Sequence, residues 1–187
     1  MRFLDIRFIV LLGPKHSGKT SAGKALASLL SCEFVDLDDY IARRSGKSPR
    51  ALFIEGPEIF RKAEAEALAA LFEAKPTKPS SPLIIASGGG IADNPDALAL
   101  LKNNTVTISV FLDVSAQIAW ERISRAGELP PFLKTENPEE THRSLHERRA
   151  ATYRQLASLS INAEGKNSRA IAEEIVNQPL LKFTPFA

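Results

Sequence analysis

Gly13-Pro14-Lys15-His16-Ser17-Gly18-Lys19-Thr20 follows an apolar run ending at Leu12 and opens a helical pattern from Ser21 to Leu30. The string fits G-x-x-x-x-G-K-[ST] in full and stands between a strand and a helix, the setting the motif requires. Its glycines let successive backbone N–H groups turn inward around phosphate, and the helix N-terminus adds the positive end of a dipole. Lys19 is placed to reach terminal phosphates, and the Thr20 hydroxyl to ligate Mg²⁺. Gly13, His16, Ser17, Gly18 and Ser21 complete the expected nucleotide cradle. The competing reading, a chance glycine turn capping a helix, explains neither the lysine nor the threonine that follow it.

The rest of the chain fits an open sheet. Apolar runs of strand length recur at Arg7–Leu12, Glu33–Asp36, Leu83–Ser87, Thr105–Leu112 and Leu159–Asn162. They do not alternate cleanly, as is usual for strands buried on both faces. Ser48-Pro49, Asn94-Pro95 and Asn137-Pro138 each set a capping side chain before a proline, a helix-start signal. The predicted fold is therefore a three-layer α/β/α arrangement around a five-stranded parallel sheet carrying a P-loop. With 187 residues the chain reads as one domain, 1–187. A single cysteine, Cys32, excludes an internal disulfide and a cysteine-based zinc cage. Lys and Arg number 24 against 22 Asp and Glu, too balanced to point to nucleic acid or a membrane surface. Phe8–Leu12 is too short for a membrane span. A cytoplasmic monomer acting on a small-molecule substrate is expected, with neither nucleic acid nor membrane as partner.

Two further stretches bear on chemistry. Asp36-Leu37-Asp38-Asp39 sits at the C-terminal end of a predicted parallel strand, where open α/β sheets bind ligands. One such acid can hold Mg²⁺ and another can take a hydroxyl proton; equally, Asp38 or Asp39 can simply cap a helix over Tyr40–Ser45. Gly88-Gly89-Gly90 closes the third predicted strand, where small residues permit close backbone approach. Lys75 to Pro82 reads as a Pro/Ser-rich surface linker, and Gly127 to Asn137, with Pro130-Pro131, as a candidate lid. His142, His146, Arg149 and Tyr153 share one helical face, which fits a site or a solvated stripe.

Taken in chain order, these motifs resemble the shikimate kinases, a nucleoside-monophosphate-kinase-like branch of P-loop proteins. The phosphate loop at 13–20, Phe34-Val35-Asp36-Leu37-Asp38, the run from Gly56 through Phe60-Arg61 to Glu64, Gly88–Gly90, and Arg149 with Tyr153 carry the likeness. The resemblance implies ATP and Mg²⁺ as cofactors, and phosphorylation of shikimate at a ring hydroxyl. It implies Lys19 and Asp38 as catalytic residues, with Asp38 on the acceptor hydroxyl. Arg61 and Arg149 would clamp the acceptor carboxylate, a planar anion suited to forked donors. Gly88, Gly89 and Gly90 would line the acceptor, Thr20 and Asp36 would place the metal, and Lys166 would lie near the adenine. A substrate-binding helical segment is expected at about 37–74 and the lid at about 125–138.

Three positions depart from that pattern. Pro130 stands where the family's lid carries an arginine over the phosphates, so Arg125 at the lid entrance, or Lys134 beyond it, is the candidate replacement. His16 takes a place commonly held by glycine, and Gly56-Pro57 replaces Gly-Glu. Two other readings stand beside the leading one. One is a gluconate-kinase-like or nucleotide-kinase-like enzyme; the other is a nucleotide-binding module that has lost phosphoryl transfer with its lid arginine.

Overall fold

A computed structural model describes residues 6–74, 81–125, 129–130 and 133–181. The strands are β1 (Phe8–Leu12), β2 (Glu33–Asp36), β3 (Leu83–Ala86), β4 (Thr107–Asp113) and β5 (Leu159–Asn162). All pair in parallel, in the order β2-β3-β1-β4-β5. The helices are α1 (Lys19–Leu30), α2 (Leu37–Ser45), α3 (Pro49–Glu55), α4 (Pro57–Glu73), α5 (Pro95–Asn103), α6 (Ala116–Arg125), α7 (Pro138–Leu156) and α8 (Ser168–Val176). The α/β fold read from the sequence is therefore present, with strand ends moved by no more than two residues.

The missing alternation in the strands has a simple cause. Phe8, Val10 and Leu12 enter a core with α2, α4, α5 and α7, while Ile9 and Leu11 enter a second core with α1 and α8. Both faces of β1 are dry, so no position on it is free to be polar. Among the described residues no helix is long and apolar enough to cross a membrane.

Local signals set the helix starts. Ser48 and Asn94 accept hydrogen bonds from the Ala51 and Ala97 amides, as their position before proline predicts. Asn137 makes no such bond, although α7 begins at Pro138. Neither Asp38 nor Asp39 caps α2; the helix starts at Leu37, because Asp36, the last residue of β2, accepts from the Asp38 amide and takes the capping role. In the C-terminal segment Leu181 docks on the second core, whereas Leu180 stays exposed. Most of the linker, at 75–80, the lid positions 126–128 and 131–132, and Phe183 lie outside the described residues.

β1 lies between β3 and β4; the chain leaves β1 toward β2 on one side and leaves the neighbouring β4 toward β5 on the other. Such a switch point opens a crevice at the C-terminal strand ends. The phosphate loop, Asp36 and the glycine triplet all issue there.

Candidate active site

Residues 13–18 connect β1 to α1. Gly13 has φ +146°, and a Cβ there would stand 2.8 Å from Ser17 Oγ and 2.9 Å from the Leu112 carbonyl, so glycine alone fits. His16 occupies the left-handed region at φ 62°, a strained conformation for a side-chain-bearing residue. Arg122 on α6 donates from Nη1 to the His16 carbonyl at 2.9 Å and braces that turn. The Lys19 ammonium is buried and donates to the carbonyls of Gly13 at 2.9 Å and Pro14 at 2.7 Å. Burial lowers its pKa to about 8, although the Asp38 and Asp36 carboxylates work to raise it.

Opposite the loop, Asp36 accepts from the Thr20 hydroxyl at 2.7 Å with one oxygen and from the Asp38 amide with the other. This pairing of hydroxyl and carboxylate oxygens suits a hard cation such as Mg²⁺. Among the described residues no cluster of three or more His, Cys, Asp or Glu could hold a metal by itself, so Mg²⁺ here would be completed by water and phosphate oxygens. The half-buried Asp38 has Oδ1 without a hydrogen-bond partner. Desolvation and the neighbouring Asp36 raise its pKa, against the pull of Lys19 and Lys15.

The triplet brings these parts together. A Cβ on Gly88 would lie 3.0 Å from Glu64 Oε1 and 3.1 Å from Asp38 Oδ1. On Gly89 it would lie 2.7 Å from the Lys15 amide nitrogen, and on Gly90 3.6 Å from Arg149 Nη2. The Gly89 carbonyl accepts from Arg149 Nη1 at 3.2 Å and from the Tyr153 hydroxyl at 2.9 Å. Asp93 holds the other edge of the Arg149 guanidinium, accepting from Nε at 2.9 Å and Nη2 at 2.6 Å. A cavity of about 680 Å³ opens over this floor, with Lys15, Lys19, Thr20, Asp36, Asp38 and Gly89 among its lining.

The remaining expected residues divide. His16, Gly18 and Ser21 border the cavity, and Ser17 is buried in the loop. The Arg61 guanidinium is paired with Glu58 on its own helix and makes no hydrogen bond to the triplet. Its backbone carbonyl accepts from Asn94 Nδ2 at 2.8 Å, and the same amide group donates to Glu64 at 2.9 Å. Arg125 is not brought to the cavity: it extends along α6 toward Glu121, 3.7 Å away, with its side chain 80% exposed. Lys166 Nζ contacts Glu174 at 2.5 Å, and neither it nor the exposed Lys134 lines the cavity.

Sequence reasoning missed Lys15, Glu64 and Asp93, and reads Arg122 as structural, which its brace on the His16 carbonyl fits. Arg122 had a usable signal: it lies one turn before Arg125 and shares its helical face. Asp93 had none, because its partner is 56 residues away.

Comparison with known proteins gives consistent relatives. Residues 15–179 match the family model described as shikimate kinase. A shikimate kinase of Legionella pneumophila (strain Corby) is 33% identical over 178 residues, covering 94% of this chain and 96% of that protein. Among solved structures, the shikimate kinase from Acinetobacter baumannii in complex with shikimate has a TM-score of 0.80 at 32% identity, covering 93% of each chain. A gluconokinase from Sinorhizobium meliloti 1021 has a TM-score of 0.56 at 17% identity, a likeness of fold alone.

Proposed function

This chain belongs to the shikimate kinase family, and from that premise we propose that it transfers the γ-phosphoryl group of ATP to a ring hydroxyl of shikimate. The convergence on the glycine triplet supports the reading: the acid, the phosphate loop and the buried-side arginine meet along three consecutive residues. Loss of phosphoryl transfer is disfavoured by the same convergence, since a simple nucleotide binder has no use for Asp38 or Arg149 there.

In the proposed reaction the acceptor hydroxyl oxygen forms a bond to the γ-phosphorus. The bond from that phosphorus to the bridging oxygen breaks, and ADP leaves with the electron pair. Asp38 takes the hydroxyl proton, using the oxygen that lacks a partner. Lys19 exchanges its two loop carbonyls for phosphate oxygens. Thr20 and Asp36 hold Mg²⁺, which when bound neutralises phosphate charge. Arg149, aimed by Asp93 and Gly89, and Arg61, released from Glu58, bind the acceptor carboxylate with forked donors. We take the enzyme to act as a cytoplasmic monomer, since every residue given a role in the reaction belongs to one chain.

A coupled ADP-release assay with Mg-ATP tests the proposal. Shikimate should give turnover far above the ATP-only blank. Arg149→Ala should raise the shikimate KM on the order of 10²-fold, as expected for a lost hydrogen bond to a charged group. No turnover with shikimate, or an equal loss on an analogue lacking the carboxylate, would contradict it.

A further inference from the structure

A phosphoryl group in flight spreads negative charge over three oxygens, so the cations that reach the cavity decide how that charge is met. Four line it: Lys15, Lys19, Lys24 and Arg122. Lys19 is engaged with Gly13 and Pro14. Lys24 lies 6.0 Å over the Phe34 ring, beside α1. Arg122 is turned to the His16 carbonyl. Among the described residues on the lid side, Pro130 is buried, Arg125 runs to Glu121 and Lys134 does not line the cavity.

Lys15 differs from these three. Its backbone nitrogen and Cα stand 2.7 and 3.1 Å from the point where a Gly89 Cβ would be, so it occupies the seam between phosphate loop and glycine triplet. Its exposed side chain borders the cavity together with Asp38. Among the described residues no hydrogen bond or ion pair engages its ammonium. Its position is also preset, with proline fixing φ on one side and the braced left-handed His16 on the other.

We propose that Lys15 is a further catalytic residue, through which the phosphate loop itself supplies the cation that meets the charge of the transferring phosphoryl group. This rests on the kinase reading above. Bonds and proton are as written there; Lys15 adds only positive charge and hydrogen-bond donors to the phosphoryl oxygens and takes no part in the proton transfer. A lysine on a braced loop stands ready before anything closes, whereas a charge carried by a lid arrives only with closure.

Lys15→Met and Lys15→Arg, compared with wild type, decide the matter. Turnover and KM are measured with shikimate and Mg-ATP. Titration calorimetry compares ADP alone with ADP plus aluminium fluoride, a mimic of the phosphoryl group in transfer. Lys15→Met should lower kcat on the order of 10²-fold, as for removal of one preorganised donor. It should leave ADP affinity within about threefold and abolish the extra affinity that aluminium fluoride confers; Lys15→Arg should restore most of both. Unchanged kcat, or an ADP affinity lost in step with kcat, would overturn the proposal. If wild type leaves shikimate unphosphorylated, the acceptor reading fails instead. Lys15 is then still decided by calorimetry, where undiminished aluminium fluoride tightening in Lys15→Met overturns it.

Discussion

A methyl group at Gly89 would press on the Lys15 amide nitrogen at 2.7 Å, closer than real Cβ contacts come, and the obstacle is backbone. Gly89→Ala should therefore push the phosphate loop off the triplet. The expected result is a fall in kcat/KM of at least about tenfold and a melting temperature lower by several degrees, roughly the response to 1–2 kcal/mol of overpacking. Differential scanning fluorimetry and steady-state kinetics check it. Gly46→Ala is the comparison, since nothing lies within 4 Å of that position and only its φ of +72° is strained. Three glycines in a row signal close approach, and in the sequence that reads as space for a ligand. At Gly89 the close neighbour is the chain's own loop. A contact between segments 74 residues apart leaves no local trace, so the seam was not legible, whereas the loop's spacing was.

Helix α7 shows the same limit at the level of an element. His142, His146, Arg149 and Tyr153 are spaced for one face, but spacing alone does not say whether that face meets water. It packs inward: Tyr153 is fully buried, and the His146 imidazole lies 3.0 Å from the Val114 carbonyl. Trp120 on α6, half-buried, has its ring 5.5 Å from that of His142. What aims Arg149 is the 3₁₀ turn Ile91–Asp93 after the triplet, through the Asp93 carboxylate. Arg148 adds a second cation to that carboxylate at 3.0 Å. Asp93→Asn keeps the size and weakens the grip on the guanidinium. The shikimate KM should rise on the order of tenfold with kcat changed far less, in line with loss of a charge-assisted bond. A fall in kcat with KM unmoved would assign Asp93 another task. The lesson for reading sequence is that caps and helix faces are local and legible, while the partner that orients an arginine belongs to the fold.

Across the whole molecule, strand composition disclosed the sheet because two dry cores leave β1 no polar face. The buried charges were less accessible to sequence reasoning, since Glu64 looks like any helical glutamate. It is 1% exposed, and burial raises its pKa to about 7 from 4.5 despite the Asn94 hydrogen bond. The native state thus keeps this proton where the unfolded chain has released it. Stability from this group declines as pH rises from about 4.5 to about 7, and the cost is complete above that window. His142, lowered by burial to about 4 from 6.5, works the other way: its contribution is lost as pH falls through that interval. Glu64→Gln preserves the shape and can still accept from Asn94. It should stabilise the protein on the order of 2 kcal/mol at pH 8 and negligibly below pH 4.5. Urea unfolding at both pH values reads the difference, and equal gains at both would reject the assignment.

The bonds from Lys19 to Gly13 and Pro14 carry one last implication. An ammonium has three donors, so the loop carbonyls and phosphate oxygens compete for the same Lys19 side chain. Part of any affinity for ATP is correspondingly muted, because the incoming phosphates must outbid two carbonyls that already hold the same ammonium.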